Sequence, residues 1–355
     1  MYTSSVAPTS QAFGEGGGGG KGRNVKWEEL GFGFVPTDFM YVMKCSLGHN
    51  FSHGSLSPFS TVSLNPSASI LNYAQGVFEG LKAQRSEEGR ILLFRPEENA
   101  RRMKIGAERL CMPCPSVEQF VNAVKKTVVA NRRFIPPLGK GSLYIRPLLI
   151  GSGAALGVQP SPEFTFLIYT SPVNSYRKGP LDLKVENKLF RAIPGYGGTG
   201  GIKSITNYAP IYRPIIEART QGFSDVLFLD AATANHIEET STCNVFVVKG
   251  NIISTPVADG SILPGITRKS IIEFATDLGY QVMERDIEVE EALQADEVFC
   301  TGTAMGVKSV ASVTYNNRRV QYKTGADSVC QKLYDTLVGI QTGRIENRNW
   351  TVQVD

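Results

Sequence analysis

The 355 residues include 37 Lys and Arg against 33 Asp and Glu, a formal charge of +4 spread along the chain, and 42% of positions are hydrophobic. No basic block is present to track a phosphate backbone, which argues against a nucleic-acid partner. No apolar run approaches the roughly 20 residues of a membrane span, and no charged start leads into an apolar signal core, so a soluble, non-secreted protein is expected.

The length suits two domains with a cleft between them. Residues 1–24, MYTSSVAPTSQAFGEGGGGGKGRN, are rich in Gly and Ser with one acidic residue and read as a disordered tail. GGGGGKG lacks the Ser or Thr that a phosphate-binding loop places after its lysine. RPEENARRMKIGAERL reads as a helix opened by Pro96, with Ala100, Met103, Ala107 and Leu110 on one face. Cys111 and Cys114 form a CxxC without a second pair, and the six cysteines are otherwise scattered, so neither a zinc site nor a disulfide framework is expected. Ser116 and Gln119 form a capping box ahead of a helix carrying Phe120, Val121, Val124 and Val128.

LYIRPLLIG and FTFLIYTSP read as strands, the first half-buried and the second buried, and the Pro-Gly-rich SPVNSYRKGP after them is a boundary. It divides an N-terminal domain, 25–174, from a loop at 175–185 and a C-terminal domain, 186–355. In the second part DVLFLD is a strand, NVFVVKGNIISTP a hairpin turned at Lys249-Gly250-Asn251, TRKSIIEFATDLG a helix closed by Gly279, and EVFCTGTA a strand entering a small-residue loop. The fold class is mixed α/β (α+β) in two lobes.

Three histidines leave little material for a His-centred triad: His49 and His53 lie in a loop-like GHNFSHGS, and His236 reads as a surface turn residue. Lys203 differs, because it follows GYGGTGGI, whose glycines let a flat ligand approach the backbone. A lysine in such a pocket loses hydration, which favours the neutral, nucleophilic amine; a solvated loop lysine is the alternative. Glu238 and Glu239 precede a buried strand, where one at least needs a cationic partner. LPGITRKS sets a Pro-Gly turn at a helix start, a site for phosphate or for ordinary capping, while TGTA at 301–304 offers hydroxyls and amides, and Arg102 or Arg146 a fixed charge. A lysine, a buried carboxylate and a phosphate cradle are what pyridoxal phosphate requires.

Taken together and in order, FEGLKA, FRPEENARRM, SLYIRP, GGTGGIKSITNYAP, EETSTCNVF, GSILPGITRKS and EVFCTGTA resemble the branched-chain amino acid aminotransferases, most of all the plant members, from about residue 24 to the C-terminus. The resemblance implies the fold-type-IV architecture, with a smaller N-terminal α/β domain, a larger C-terminal domain built around a barrel-like sheet, and a homodimer. It implies pyridoxal 5′-phosphate bound covalently to Lys203, which also shuttles the substrate proton. Tyr208 would bond the cofactor's phenolic oxygen and Glu239, not Glu238, its ring nitrogen, with Asn244 nearby. Arg102, Ile266, Thr267 and Thr303 would bind its phosphate. Tyr73, Phe78, Tyr144 and Tyr176 would form the wall for branched side chains, Arg146 would take the distal carboxylate of glutamate, and Thr303 and Ala304 the α-carboxylate.

The implied reaction moves the amino group of leucine, isoleucine or valine to 2-oxoglutarate in a ping-pong cycle. Methionine or its chain-elongated oxoacids are the nearest alternative substrates, since a methylthio group differs little from a branched alkyl chain in an apolar pocket. A non-catalytic nucleotide-binding protein using GSGAALG at 151–157 is a remote alternative, because the glycine spacing does not match the dinucleotide fingerprint. Two departures stand out. GTAMGVK lacks the CxxC of mammalian members after the GTA motif, and the passage leading to the glycine run carries an additional Tyr196. The tail resembles that of cytosolic plant members, with a plastid location as the alternative.

Overall fold

In the strand Ser142–Gly151, Leu143, Ile145 and Leu149 are wholly buried while Tyr144, Arg146 and Leu148 are only partly so, and this alternation organises the N-terminal half. The structure is a computed structural model and describes residues 25–174, 179–195, 197–346 and 349–354. The tail at 1–24, Tyr176 and Tyr196 lie outside the described residues.

In chain order the first half contains β1 (Phe39–Ser46), β2 (Ser55–Pro58), α1 (Ser69–Tyr73), β3 (Gly76–Phe78), β4 (Leu81–Arg85), β5 (Ile91–Phe94), α2 (Pro96–Arg109), α3 (Val117–Ala130), β6 (Ser142–Gly151) and β7 (Glu163–Val173). The second half contains β8 (Leu181–Glu186), α4 (Tyr212–Thr220), β9 (Asp225–Leu229), β10 (Ile237–Thr240), β11 (Asn244–Lys249), β12 (Ile252–Thr255), α5 (Ile266–Asp277), β13 (Gln281–Glu284), α6 (Val289–Leu293), β14 (Glu297–Gly302), β15 (Gly306–Tyr315), β16 (Arg318–Gln321) and α7 (Val329–Gln341), and the chain ends in β17 (Thr351–Gln353).

The first sheet runs β17-β5-β4-β6-β7-β1-β2, with β3 paired to β6. One face is sealed by α2 and α3, whose Ala100, Met103, Phe120 and Val124 pack on Leu81, Leu143, Ile145 and Phe166. α2 opens on Pro96 and α3 on a complete capping box at Ser116 and Gln119, as their sequences predict. The other face, carrying Tyr144 and Arg146, is left for the cleft.

The second sheet closes on itself. Its path β10-β9-β8-β15-β14-β11 returns to β10 through the pair Glu239↔Asn244, giving a six-stranded barrel among the described residues. Leu183, Leu227, Val245, Val298 and Val310 join one buried cluster of the barrel, and alternate residues such as Phe246 and Phe299 pack on its other side against Phe274 of α5 and Leu333 and Leu337 of α7. The hairpin at Gly250 and the closure of α5 near Gly279 follow the sequence expectation, each glycine standing at positive φ.

Two segments depart from the predicted division. Residues 181–185, placed in the boundary loop, belong with Glu186 to barrel strand β8, whose strict buried and half-buried alternation the Pro-Gly-rich approach conceals. Thr351–Gln353, assigned to the C-terminal domain, instead pairs with β5 at the edge of the first sheet.

Phe246 and Phe299 stack with ring centroids 4.9 Å apart and both are fully buried. Truncating one ring leaves a cavity that neighbouring strands cannot close, so Phe299→Ala is expected to cost about 3–5 kcal/mol, read as a lowered urea midpoint.

Candidate active site

Between the cleft-facing side of the first sheet and one end of the barrel lies a cavity of about 470 Å3, a size suited to a small ligand. Lys203 reaches it because its backbone is gripped from both sides. On one side Phe78 N–H donates to the Lys203 carbonyl (3.1 Å) and Val77 bridges Ser204. On the other, the glycine run lies flat on the loop before α5: Gly201 N–H donates to the Gly260 carbonyl (2.7 Å). A Cβ on Gly200 would collide with the Ser261 carbonyl, so glycine is required there by close approach. Asn207 fastens the run further, its amide donating to the Thr199 and Ile202 carbonyls at 2.7 and 3.0 Å.

Lys203 Nζ donates to the Tyr208 hydroxyl at 3.0 Å and lies 4.8 Å from the Phe78 ring centroid. Burial raises the Tyr208 pKa, but the charges of Lys203 and Arg191 outweigh it and hold the hydroxyl below its ordinary value. Glu239 is 2% exposed and lines the cleft from β10. Burial pushes its carboxyl upward, opposed by Arg191, whose Nε is 3.7 Å from Glu239 Oε1. Glu238 lies on the same strand outside the cleft lining, its carboxyl pushed up to about 7 by burial and by the charge of Glu239. Asn244 lines the cleft beside Glu239 and donates to the Leu263 carbonyl at 2.8 Å.

Ile266 and Thr267 open α5, whose N-cap Gly265 provides no side-chain cap, so the first-turn amides face the cleft as an anion-binding end. A Cβ on Gly265 would strike Asn244 Oδ1, so a larger residue here would displace the Asn244 amide from its place beside the cleft. Arg102 stands beside this end. Its Nε and Nη2 clasp both oxygens of Glu79 at 2.8 and 2.7 Å, and its Nη1 donates to the Pro264 carbonyl at 3.1 Å. Asn99 donates to Glu79 Oε2 at 2.8 Å, completing a buried network. Burial lowers the Arg102 pKa, but Glu79 more than compensates, so the guanidinium stays charged.

The wall opposite consists of Phe78, Tyr144, Leu148 and Tyr169 of the first sheet, with Phe32 edge-on to Tyr144 at 5.3 Å. Arg146 lies 4.8 Å from the Phe78 ring centroid, and its buried Nε has no hydrogen-bond partner. Thr303 and Ala304 close the cleft from the turn after β14, with the buried Thr301 hydroxyl also unpartnered beneath them. Tyr73 does not join this set: it ends α1, is 41% exposed and gives its hydroxyl to the Leu156 carbonyl, because α1 stands at the Gly151 end of β6. Of the CxxC, the Cys114 thiol is pushed up to about 12 by burial, far from a thiolate ligand.

Residue-level sequence reasoning alone missed Glu79 and Arg191. Glu79 was visible as a carboxylate set inside the apolar FEGL. Arg191, in NKLFRAIPG, carries no periodic or compositional mark, and its role comes from tertiary placement: it donates to the Ser241 carbonyl at 2.9 Å and the Asn207 carbonyl at 3.3 Å, tying the Glu239 strand to the Tyr208 segment.

A cleft that brings together an amine, a buried carboxylate and a helix-end anion site suits group transfer on an anionic ligand. The family model for amino-transferase class IV matches residues 76–313, and the chain belongs to that family. It is 58% identical over 335 residues to branched-chain-amino-acid aminotransferase 6 of Arabidopsis thaliana, covering 94% of each chain. It is also 53% identical over 353 residues to a methionine aminotransferase of the same plant, covering 99% of each. Among solved structures, the branched-chain amino acid aminotransferase of Thermobaculum terrenum in its PLP-bound holo form superposes with TM-score 0.75 at 26% identity, over 90% of this chain and 99% of that one.

Glu79 is 0% exposed, and removing it leaves Arg102 buried without its counter-charge. Glu79→Ala is expected to lower stability by about 3–5 kcal/mol, measured by chemical denaturation.

Proposed function

We propose that this protein transfers the α-amino group of leucine, isoleucine or valine to 2-oxoglutarate using pyridoxal 5′-phosphate. The observation that carries the reading is the convergence of Lys203, Tyr208 and Glu239 on one cleft whose far end is the uncapped start of α5. Of the unpartnered buried polar atoms among the described residues, Thr301 Oγ1 and Arg146 Nε belong to residues of the cleft lining and support a polar ligand there. When bound, pyridoxal phosphate supplies an electron sink for the charge released at the substrate's Cα.

The chain's own residues do the rest. Lys203 is the amine that would hold the cofactor covalently, and its Nζ is placed to hold and return the proton of the substrate's Cα. Tyr208, with Lys203 and Arg191 close by, is a hydroxyl poised to meet a phenolic oxygen with a hydrogen bond. Glu239 offers a buried carboxylate to a protonated ring nitrogen, a cation that would complete the balance Arg191 begins. Arg102, the amides of Ile266 and Thr267, and the Thr303 hydroxyl receive the phosphate, with Glu79 keeping Arg102 aimed.

The substrate must fit one pocket in both halves of the cycle. Phe78, Tyr144, Leu148 and Tyr169 take a branched alkyl chain, and Arg146 beside them takes the second carboxylate of 2-oxoglutarate. Thr303 and Ala304 receive the α-carboxylate that both substrates share. Methionine remains the second reading, favoured by the likeness to a methionine aminotransferase over 99% of this chain. We also infer a homodimer: Leu156 and Val158 are 89% and 92% exposed beside the exposed Leu71 and Tyr73, an apolar patch that a second copy would cover.

Purified wild-type protein is expected to absorb in the visible region after incubation with pyridoxal phosphate, with the band shifting on addition of leucine. Lys203→Ala should lose that band and turnover together; a colourless wild type would refute the reading. Arg146→Met should raise KM for 2-oxoglutarate by about 10–100-fold while leaving KM for leucine nearly unchanged, in steady-state assays. Comparing kcat/KM for leucine and methionine ranks the two substrate readings.

A further inference from the structure

Lys82 has no part in the site described so far, yet it stands beside it. Its neighbours on β4, Leu81 and Ala83, turn into the core under α2 and α3, so Lys82 projects from the opposite, cleft-facing side of the sheet. There it is the register partner of Tyr144 on β6. Tyr144 enters the cleft, whereas Lys82 is absent from the cleft lining and passes behind the turn that joins β14 to β15.

That turn is three residues long, Thr303 to Met305, closed by the pair Gly302↔Gly306 with Gly306 at φ +75°. Thr303 and Ala304 line the cleft on one side, and Ala304 also lines a second cavity, shared with Lys82, on the other. Lys82 Nζ crosses from the first sheet to donate to the Ala304 carbonyl at 3.2 Å. In a trans peptide the carbonyl and the following N–H point in opposite directions. Holding the Ala304 carbonyl on the rear side therefore leaves the Met305 N–H on the opposite side of that peptide plane, while the Met305 side chain stays with the second cavity. The amine is deeply desolvated, and burial draws its pKa down to about 8.

Resting on the function proposed above, we propose that Lys82 is a positioning residue that fixes the Thr303–Met305 turn so that its amides meet the substrate α-carboxylate. Its effect would fall on every substrate with that carboxylate, because both halves of the cycle use the same turn. Arg146 differs, since it meets only the substrate with a second carboxylate.

The test uses cofactor-loaded enzyme and two probes that share an alkyl chain, 4-methylvaleric acid and 4-methylpentan-1-ol, with affinities measured by calorimetry. In Lys82→Met the dissociation constant for the acid is expected to rise by about tenfold and that for the alcohol to stay unchanged. KM for leucine and for 2-oxoglutarate should rise together, with kcat changing less. Lys82→Gln, uncharged but still a donor, should recover part of the affinity for the acid. A loss in Lys82→Gln equal to that in Lys82→Met would assign the effect to charge and overturn the positioning role, as would an equal change for acid and alcohol, or none. Circular dichroism and cofactor absorbance check folding and loading, and Lys82→Ala serves if methionine is not tolerated. A wild type that neither prefers the acid nor transaminates leucine would instead overturn the function on which this inference rests.

Discussion

The short backbone junction between Val77–Phe78 and Lys203–Ser204 sets the geometry of everything around the cleft. It joins the first sheet to the segment that carries Lys203, so the two halves of the chain meet at a fixed register. Consecutive residues of this stretch then do different work. Val77 seals the core, Phe78 forms the wall beside Lys203, and Glu79 turns inward to hold Arg102. A slip of one residue would put the carboxylate against the lysine and the ring among the charges.

Charge in the cleft is balanced in pairs. Arg102 is answered by Glu79, and Arg191 stands between Glu239 and Tyr208. Such buried ions survive because each is hydrogen-bonded to fixed groups, several of them backbone carbonyls. Arg146 is less fully answered, with stacking on Phe78 and one long contact to the Tyr144 hydroxyl. A cation held in this way keeps hydrogen-bonding capacity free on the cleft side.

Much of this was legible in the sequence, and unevenly so. The helices at Pro96 and Ser116, the hairpin at Gly250 and the strand ending in TGTA all carry local signals, and those signals survive folding because capping and turn chemistry are local. Lys203, Glu239 and Ile266, which line one cleft, each carry a local mark in the sequence: a glycine run, a carboxylate before a buried strand and a Pro-Gly turn at a helix start. The barrel strand Leu181–Glu186 was hidden by its Pro-Gly approach, and Arg191 and Lys82 were hidden as actors because their partners lie 50 and 222 positions away. The location of Tyr73 outside the cleft depends on the short helix α1 meeting the Gly151 end of β6, a tertiary fact that five residues cannot encode.

The last strand bears on how the chain is assembled. Thr351–Gln353 pairs with β5, so a sheet begun near residue 39 is completed only by residues at the far end. During synthesis β5 must wait, with one edge unpaired, until the whole barrel has left the ribosome. An isolated N-terminal half would keep that open edge permanently. The two lobes are thus stitched by β17, which follows the barrel in sequence yet pairs within the first sheet.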